Sequence, residues 1–469
     1  MLDETSLDKI RDTWGGLRRD IESMATGIWE HPELPMMEYE AEAALSAWLS
    51  DHGFHVERGV CAIPTAFRAT WSKGEGPALG ILAEYDALPG QGNLAEPRRA
   101  PDGHRAGHAC GHNLIGSANV GAAIAARHAM EELGLGGRIV VLGTPAEELL
   151  WGKIAMFQRG AFDGIDALLT SHADQQTGAI SRPCLSCVSS EFVFTGVSGH
   201  GGSRRSQNAL DAAELMVQSM ERLRAHQFND AVIGHVLRVA GLMPSITCDE
   251  ARLWITVRHE SFERAEEVYR QIVPIAADAA RYTHTDFSEQ LISASRGYLA
   301  NDRLGRVLQG NLNQIGAPAW DTDDLDFLAE LSKACSPRME VVLDRDTALH
   351  TEGCDPFGQD DGEASWYIPL ARVNWAQPLG VLFHNWATTA MSGHTSGIKG
   401  ALMASEGLAL TMVDLLADPA AIAESKSELA ARVDGRKLSP PRCGAFELMT
   451  TAPETFWDAT WLSGDRLAS

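Results

Sequence analysis

The sequence predicts an α/β protein with a central mixed sheet flanked by helices and an inserted α+β domain. Its 469 residues are about three times a typical single domain, so two compact bodies are expected. Hydrophobic residues make up 45% and charged residues 22%, an ordinary globular composition that excludes fibrous and disordered classes. In the first part of the chain, segments with helical periodicity alternate with short apolar runs, which is typical of an α/β fold.

The N-terminal part begins with two segments of helical periodicity, and an apolar run then indicates a buried strand. A loop rich in glycine and proline separates this strand from an alanine-rich helix and a second apolar strand. Loops longer than about 15 residues are usually functional in compact domains, so this loop is a candidate site element. In order, the predicted elements are helices 8–29 and 38–52, strand 77–83, loop 88–107, helix 113–133 and strand 138–142.

The middle of the chain, residues 188–300, is predicted to be a separate α+β insert between two parts of the main body, residues 1–187 and 301–469. Its pattern is strand, helix, paired strands, helix, strand. After it, an apolar run indicates another strand, and aromatic residues of the C-terminal tail are expected to pack on the body. These segments are helices 209–223 and 262–280, paired strands near Val236 and Leu253, strand 380–383, helix 398–416, and the tail beyond Asp418 with Phe456, Trp457 and Trp461.

The charge of the chain limits its partners. Asp and Glu number 63 against 39 Lys and Arg, a formal net charge of −24, so nucleic acid and anionic membrane surfaces are disfavoured. The start Met1–Thr5 lacks the basic and apolar pattern of a leader, and the sequence has no uninterrupted apolar run of about 18 residues. We therefore expect a soluble, cytoplasmic protein that acts on a small molecule.

Eight cysteines are too few for a disulfide framework in a chain of this length, and we expect them to be reduced. Cys184 and Cys187 form a CxxC pair, but no second pair accompanies them, so packing is the favoured interpretation.

Cys110 differs from the other cysteines because it lies between two histidines. The segment Gly107–Asn113 (GHACGHN) joins the long loop to the alanine-rich helix and offers one thiol and two imidazoles. A helix N-terminus lowers a thiol pKa, so Cys110 is predicted to have thiolate character. A thiolate suits either metal binding or nucleophilic catalysis, and an ordinary loop cysteine is the remaining alternative.

Further candidate ligands stand at the ends of predicted strands. Glu147 and Glu148 follow one strand, His172 ends the next, and His384 follows the late apolar run. The carboxyl ends of strands are where α/β folds place ligands. Because adjacent residues of an extended segment point in opposite directions, one carboxylate of the pair is expected to bind a metal while the other faces an attacking water.

Taken in order along the chain, these segments resemble the M20 metallopeptidase and amidohydrolase family. Within it they are most similar to the branch of aminoacylases, hippurate hydrolases and p-aminobenzoyl-glutamate hydrolases, and the similarity runs over nearly the whole chain. The residues that carry it are Ala83–Pro89 (AEYDALP), the GHACGH segment with Asn113 and Leu114, Glu147 and Glu148, Gly362–Trp366 (GEASW), His384–Trp386 and Ile398–Gly400.

The resemblance implies two divalent metal ions per chain, and mixed thiolate, imidazole and carboxylate ligands suit Mn, Zn or Co. It implies that Cys110 bridges the two ions. The remaining ligands that it implies are His112, Glu148, His172 and His384.

The resemblance also implies the catalytic residues. Glu147 becomes the general base, and Asp86 becomes the carboxylate that orients a ligand. His200, in the insert sequence GVSGHG, is implied to reach the active site of a partner subunit, which makes the insert a lid and a dimerisation domain. Glu84 stands where this branch more often has Asp, and Ser245 stands where relatives often have Asn, so the roles of both stay open.

The implied reaction is hydrolysis of the amide bond of an N-acyl or N-aroyl amino acid by water activated at the metal ions. Two reactions on the same site are alternatives, hydrolytic deamination of an aromatic amine and dipeptide hydrolysis. A cysteine-nucleophile hydrolase using Cys110 with His112, and a binding protein that has lost activity, are alternatives of other classes. The expected assembly is a homodimer, with a related second subunit as the alternative.

Overall fold

The computed structural model describes residues 4–203 and 206–457. Its strands and helices alternate along the first part of the chain, as the periodicity predicts. The strands β1 to β14 are His55–Arg58, Phe67–Lys73, Ala78–Ala83, Leu88–Pro89, Ala106–Gly107, Gly137–Gly143, Ala167–Asp174, Gly178–Ile180, Ser186–Thr195, Val232–Val239, Glu250–His259, Asp286–Ser295, Leu370–Ala376 and Arg442–Cys443.

Five of the six predicted helices extend further at one or both ends than predicted, whereas the helix Tyr39–Asp51 is shorter by one residue at each end. Two short 3₁₀ turns, Val60–Ala62 and Glu147–Leu149, accompany the helices. The helices α1 to α13 are Glu4–Glu30, Tyr39–Asp51, His112–Leu133, Gly152–Gln158, Ala209–Gln227, Phe262–Thr283, Asp302–Ile315, Thr322–Cys335, Asp361–Ser365, Trp386–Ser392, Thr395–Ala417, Pro419–Val433 and Phe446–Thr451.

Seven strands form the main sheet, in the order β1-β2-β6-β3-β7-β13-β8. The four strands β6, β3, β7 and β13 run parallel to one another, while β2 and β8 pair antiparallel at either side of this group. Every residue of β3, β7 and β13 is buried, as expected of parallel strands covered by helices on both faces. The prediction of a mixed sheet flanked by helices is confirmed.

A second sheet contains β10, β11, β9, β12 and β14 in that order, and all its pairs are antiparallel. Helices α5 and α6 pack on it through a separate hydrophobic core that includes Phe192, Met216 and Ile272. Strands β10, β11 and β12 lie within the segment predicted as an insert, β9 begins two residues before it, and β14 comes from the C-terminal tail. The domain boundaries at 188 and 300 stay predictions.

Helix α11 is long and apolar enough to cross a membrane by itself, with a mean hydropathy of 1.4 in its most apolar window. In this fold, 83% of that window is buried. Its Ser405 hydroxyl accepts a hydrogen bond from Trp14 Nε1 at 3.1 Å and donates to the Ala118 carbonyl at 2.7 Å. The helix therefore belongs to a buried layer formed with α1 and α3.

The prediction of a strand at residues 380–383 is wrong, because this segment forms turns. The seventh strand of the main sheet is β13, which ends before Pro378. Val381 is apolar because it packs with Leu328 and Leu331 in a small separate core. Its burial reflects side-chain packing at one position and involves no strand pairing.

The C-terminal tail packs across both sheets. Strand β14 pairs with β12, and Gly444 accepts a hydrogen bond from Trp151 Nε1 at 2.8 Å. Phe456 and Trp457 are buried, and Trp457 Nε1 donates to the Pro35 carbonyl at 2.9 Å. The predicted packing of these two aromatic residues is confirmed, while Trp461 lies outside the described residues.

Gly116 of α3 sets how closely this helix approaches the end of β3. A Cβ at this position would lie 2.6 Å from the carbonyl oxygen of Glu84. We expect Gly116→Ala to lower the free energy of unfolding by about 1–3 kcal/mol, because the helix must move away from the strand. Gly15→Ala in α1, where a Cβ meets nothing within 4 Å, is the matched control and should be neutral or slightly stabilising. Urea unfolding followed by circular dichroism measures both, and equal stabilities would contradict the packing argument.

Candidate metal centre

Six of the predicted site residues meet at the carboxyl ends of the parallel strands. Asp86 follows β3, Glu147 and Glu148 lie in the 3₁₀ turn after β6, and His172 lies near the end of β7. His112 is the first residue of α3, and Cys110 precedes it. His384 joins them from the turn before α10. The edge of the sheet therefore brings together a cluster of side chains from distant parts of the sequence, as expected of an α/β fold.

Cys110 is shared by two groups of potential metal ligands. In each group, one ligand atom from every residue lies within 4.8 Å of the others. One group is Cys110, His112 and His172, and the other is Cys110, Glu148 and His384. His112, Glu147 and Glu148 form a third group. The Cys110 Sγ to His172 Nε2 distance is 3.5 Å.

Backbone and carboxylate acceptors orient the two buried imidazoles. His112 Nδ1 lies 2.9 Å from Asp86 Oδ1, and His172 Nδ1 lies 2.6 Å from the Ala173 carbonyl oxygen. When Nδ1 donates in these contacts, Nε2 of each neutral ring points its lone pair into the cluster. The other Asp86 oxygen accepts from the Glu148 N–H at 2.9 Å. Asp86 therefore connects His112 to the 3₁₀ turn of Glu147 and Glu148, which we call the carboxylate turn.

Glu147 and Glu148 both face the cluster, so the expectation that they point in opposite directions is wrong. Glu147 Oε2 and Glu148 Oε1 lie 3.7 and 3.9 Å from His112 Nε2. The reason is local: the two residues belong to a 3₁₀ turn, bounded by Ala146 and Leu150 with positive φ angles of 57° and 51°. A 3₁₀ turn presents adjacent side chains at about 120° to each other, whereas an extended segment places them on opposite faces.

His384 approaches Glu148. Its Nε2 lies 3.3 Å from Glu148 Oε2, and its backbone N–H donates to the Ala109 carbonyl at 2.9 Å. The residue has a positive φ of 55°, and its side chain is 54% exposed. The turn that carries His384 is therefore fastened to the Cys110 segment while its ring remains open to solvent.

Four buried polar atoms of the cluster have no hydrogen-bond partner among the described residues, namely Glu84 Oε2, His112 Nε2, Glu147 Oε1 and Glu148 Oε1. Leaving one such atom unsatisfied costs about 1–3 kcal/mol, and more for a charged group. Acceptors that converge without a donor fit a cation, and their thiol, imidazole and carboxylate chemistry suits Zn, Mn or Co. The residues present thus fit the metal ions that the sequence implies.

The prediction that Cys110 is thiolate-like on its own is wrong. Burial raises the pKa of its thiol, and the charge of Glu148 raises the pKa further. These effects outweigh the lowering by the neighbouring His112, so a bound cation would favour the thiolate. Burial lowers the pKa of His172 to about 4, which keeps this imidazole neutral and able to bind metal at pH 7.

Glu147 and His112 titrate under opposing influences. Burial and the charge of Glu84 raise the pKa of Glu147 well above its ordinary value. Burial lowers the pKa of His112, but Asp86 and Cys110 more than offset this and raise it. Protons therefore compete with a cation for His112 Nε2.

Sequence reasoning missed Lys153 and Asp360 and left Glu84 without a role. Lys153 Nζ lies 2.8 Å from Glu84 Oε1 and also contacts Asp360, and all three side chains are buried. Burial raises the pKa of Glu84, but Lys153, His112 and His172 outweigh it and lower the value to about 2. A signal was present, since Lys153 interrupts an otherwise apolar run, and a buried lysine requires an acidic partner.

Two other predicted residues lie apart from the cluster. His108 is buried, but its Nε2 lies 3.1 Å from the Ile28 carbonyl oxygen, and it belongs to none of the ligand groups. His200 is exposed at a turn beside the second sheet, where its Nδ1 accepts from the Gly202 N–H at 3.1 Å. The described chain does not bring His200 to its own cluster. Cys184 and Cys187 are buried free thiols, in agreement with a packing role.

A mixed α/β sheet that gathers thiol, imidazole and carboxylate groups at its carboxyl edge has the residue types and the position of an enzyme metal site. Residues 80–374, more than half of the chain, match the model of peptidase family M20/M25/M40, and the chain belongs to this family of hydrolases. The resemblance inferred from the motifs is thereby confirmed.

Relatives of the chain cover almost its full length. It is 28% identical to one of the subunits of the p-aminobenzoyl-glutamate hydrolase of Escherichia coli (strain K12), over 93% of this chain and 96% of the relative. It is 25% identical to the Xaa-Arg dipeptidase of Mus musculus, over 89% of this chain and 90% of the relative. A dinuclear metal-binding peptidase of the M20 family from Bacillus subtilis has a similar fold, with a TM-score of 0.54, 18% identity, and coverage of 86% of this chain and 99% of that chain.

The two adjacent glutamates should respond differently to the same substitution. We expect Glu148→Gln to lower the content of bound Zn or Mn, because its carboxylate lies with Cys110 and His384 in one ligand group. Glu147→Gln should keep the metal and lose turnover by roughly 10²-fold or more, the scale of positioned acid–base catalysis. Elemental analysis of the reconstituted variants, together with hydrolysis rates, tests both. Exchanged outcomes would show that the two glutamates have exchanged roles.

Proposed function

We propose that this chain is a metal-dependent amidohydrolase that cleaves the amide bond of N-acyl or N-aroyl amino acids at a centre of two divalent ions. The observation that carries the proposal is the pair of ligand groups that share Cys110. A single thiolate common to two groups is what a bridging ligand requires. His112 and His172 would hold one ion with it, and Glu148 and His384 would hold the other.

The residues around the ions divide the remaining work. When bound, two divalent ions would supply the positive charge that polarises an amide carbonyl and lowers the pKa of a water molecule to near 7. Glu147 is placed to take the proton of that water and to return it to the leaving nitrogen, since its pKa is raised by burial and by Glu84. Asp86 holds the ring of His112 and the backbone of Glu148 in fixed relation.

Aromatic side chains beside the cluster favour an aromatic acyl group. The ring of Phe357 lies 6.3 Å from the His172 ring, and that of Phe383 lies 5.9 Å from it. Leu382, which precedes Phe383 in the sequence, is substantially exposed although apolar. An N-aroyl substrate could cover these side chains, and a relative whose name specifies p-aminobenzoyl-glutamate agrees with this choice.

A substrate panel tests the proposal. p-Aminobenzoyl-glutamate, an N-acetyl amino acid, an Xaa-Arg dipeptide and an aromatic amine are offered to the metal-loaded protein, with product detection by mass spectrometry. We expect the aromatic amide to be cleaved fastest, a chelator to abolish cleavage, and Glu147→Gln to slow it by roughly 10²-fold or more. Ammonia release from the amine without amide cleavage would instead identify a deaminase. Preferential dipeptide cleavage would identify a dipeptidase, the activity named in the second relative.

We further propose that two copies pair through the insert. Strand β10 is at the edge of the second sheet, and its outward Val232 and Val236 are exposed. A nearby loop exposes Met243 and, to 80%, Leu242. An open edge strand with exposed apolar side chains is a ready pairing surface. His200 lies in the same region, where it forms a β-bridge with Ile246.

In a twofold dimer, each His200 would reach the cleft of the other subunit, where it could donate to the developing oxyanion. We therefore expect a mixture of His200→Ala and Glu147→Gln chains to be more active than either parent, because each heterodimer contains one intact composite site. Native mass spectrometry verifies the heterodimers, and the hydrolysis rate is measured on the same sample. Verified heterodimers without recovery would show that His200 does not act across the interface.

Activity only with a different second chain would indicate a heteromer, an arrangement that the first relative favours because its name describes it as a subunit.

A further inference from the structure

Glu84 is a buried carboxylate at the cluster that the proposed function leaves unused. It directly follows β3, and its Oε1 lies 2.8 Å from the Lys153 ammonium. Its Oε2 has no hydrogen-bond donor among the described residues and lies 3.6 Å from His112 Nε2. One oxygen is thus held by the protein, while the other faces the metal centre.

His112 Nε2 is surrounded by three carboxylate oxygens at nearly equal distances. The distances are 3.6 Å to Glu84, 3.7 Å to Glu147 and 3.9 Å to Glu148. None of the three is within hydrogen-bonding distance, and in the neutral form of the ring, which is the form that binds metal, Nε2 is an acceptor that faces three other acceptors. Metal bonds of about 2.0–2.2 Å place neighbouring ligand atoms roughly 3–4 Å apart. The spacing around Nε2 is therefore that of atoms that share a cation, and Glu84 satisfies it as well as the two residues of the carboxylate turn do.

Lys153 holds Glu84 in this position. Its ammonium contacts both Glu84 and Asp360, and its backbone N–H donates to Asp360 Oδ2 at 2.8 Å. Helix α4, which carries Lys153, begins shortly after the turn with Glu147 and Glu148. The ion pair therefore connects the end of β3 to the helix that follows the carboxylate turn. A buried ammonium between two carboxylates keeps its position because moving away from either one would leave that carboxylate buried without a counter-charge.

We propose that Glu84 is a further cation-facing carboxylate of the metal centre and that Lys153, anchored by Asp360, is its positioning residue. The proposal rests on the proposed dinuclear site. It also explains how Glu147 can remain available for proton transfer. If Glu84 supplies a carboxylate to the ion beside His112, that ion does not need Glu147 as a ligand.

Calorimetric titration of metal-free protein with Zn²⁺ and with Mn²⁺ tests this proposal without an activity assay. We expect the wild type to bind two ions. We expect Glu84→Gln to bind one of them about 10-fold or more weakly, which is the effect typical of residues that support metal ligands. Glu84→Asp keeps the charge and should restore part of the affinity. Lys153→Met should change affinity in the same direction as Glu84→Gln, because it releases the Glu84 carboxylate.

Asp361→Asn is the matched control. Asp361 neighbours Asp360 in sequence, is equally buried, and holds the Arg372 guanidinium at 2.7 and 2.8 Å. It should lower the melting temperature and leave both metal affinities unchanged. Equal weakening by Asp361→Asn and Glu84→Gln would assign Glu84 a structural role and overturn the proposal.

The outcomes separate this proposal from the proposed function. Amide cleavage with two bound ions, combined with unchanged affinity in Glu84→Gln, would overturn the role of Glu84 alone. A wild type that binds no divalent cation would overturn both. If Lys153→Met does not fold, the pair Glu84→Gln and Glu84→Asp still decides the question, since neither change alters side-chain volume by more than about one methylene group.

Discussion

Buried negative charge at one edge of the main sheet is the constraint on which the structure of this protein depends. Glu84, Asp86, Glu147 and Asp360 are all almost completely excluded from solvent, and Lys153 is the ammonium that contacts two of them. Isolated carboxylates are too costly to bury without compensation. Backbone donors and the lysine offset part of this charge, and the cations of the proposed centre would offset the rest.

The parallel strands bring the side chains of this cluster together. Because β3, β6 and β7 run in the same direction, the segments that follow or end them deliver Glu84, Glu147 and His172 to one place. Their order in the sheet places β3 between the other two. Asp86 and Lys153 then cross-link these segments, so that the cluster is held by side chains as well as by the sheet.

Much of this site could be predicted from the sequence, and the limits have physical reasons. Short motifs such as the Cys110 segment indicate metal binding because few residue types bind metal. The directions of Glu147 and Glu148 could not be predicted, since they depend on a 3₁₀ turn whose left-handed residues are Ala146 and Leu150 rather than glycine. Lys153 was missed because its partners, Glu84 and Asp360, are far apart in the chain. A strand was wrongly predicted around Val381 because an apolar run alone does not distinguish a strand paired in a sheet from a turn whose side chains pack in a core.

The path of the C-terminal tail determines when, during synthesis of the chain, the surroundings of the carboxylate turn can be completed. Trp151 lies just beyond the carboxylate turn, yet its indole N–H is satisfied by Gly444 and its ring stacks on Phe446. Nearly three hundred residues are synthesised between these partners, and nascent chains fold from the N-terminal end. The surroundings of the carboxylate turn are therefore completed only after most of the chain has been synthesised. Ribosome-bound chains that end before residue 444 contain the cluster residues but lack the partners that Trp151 has in the folded protein.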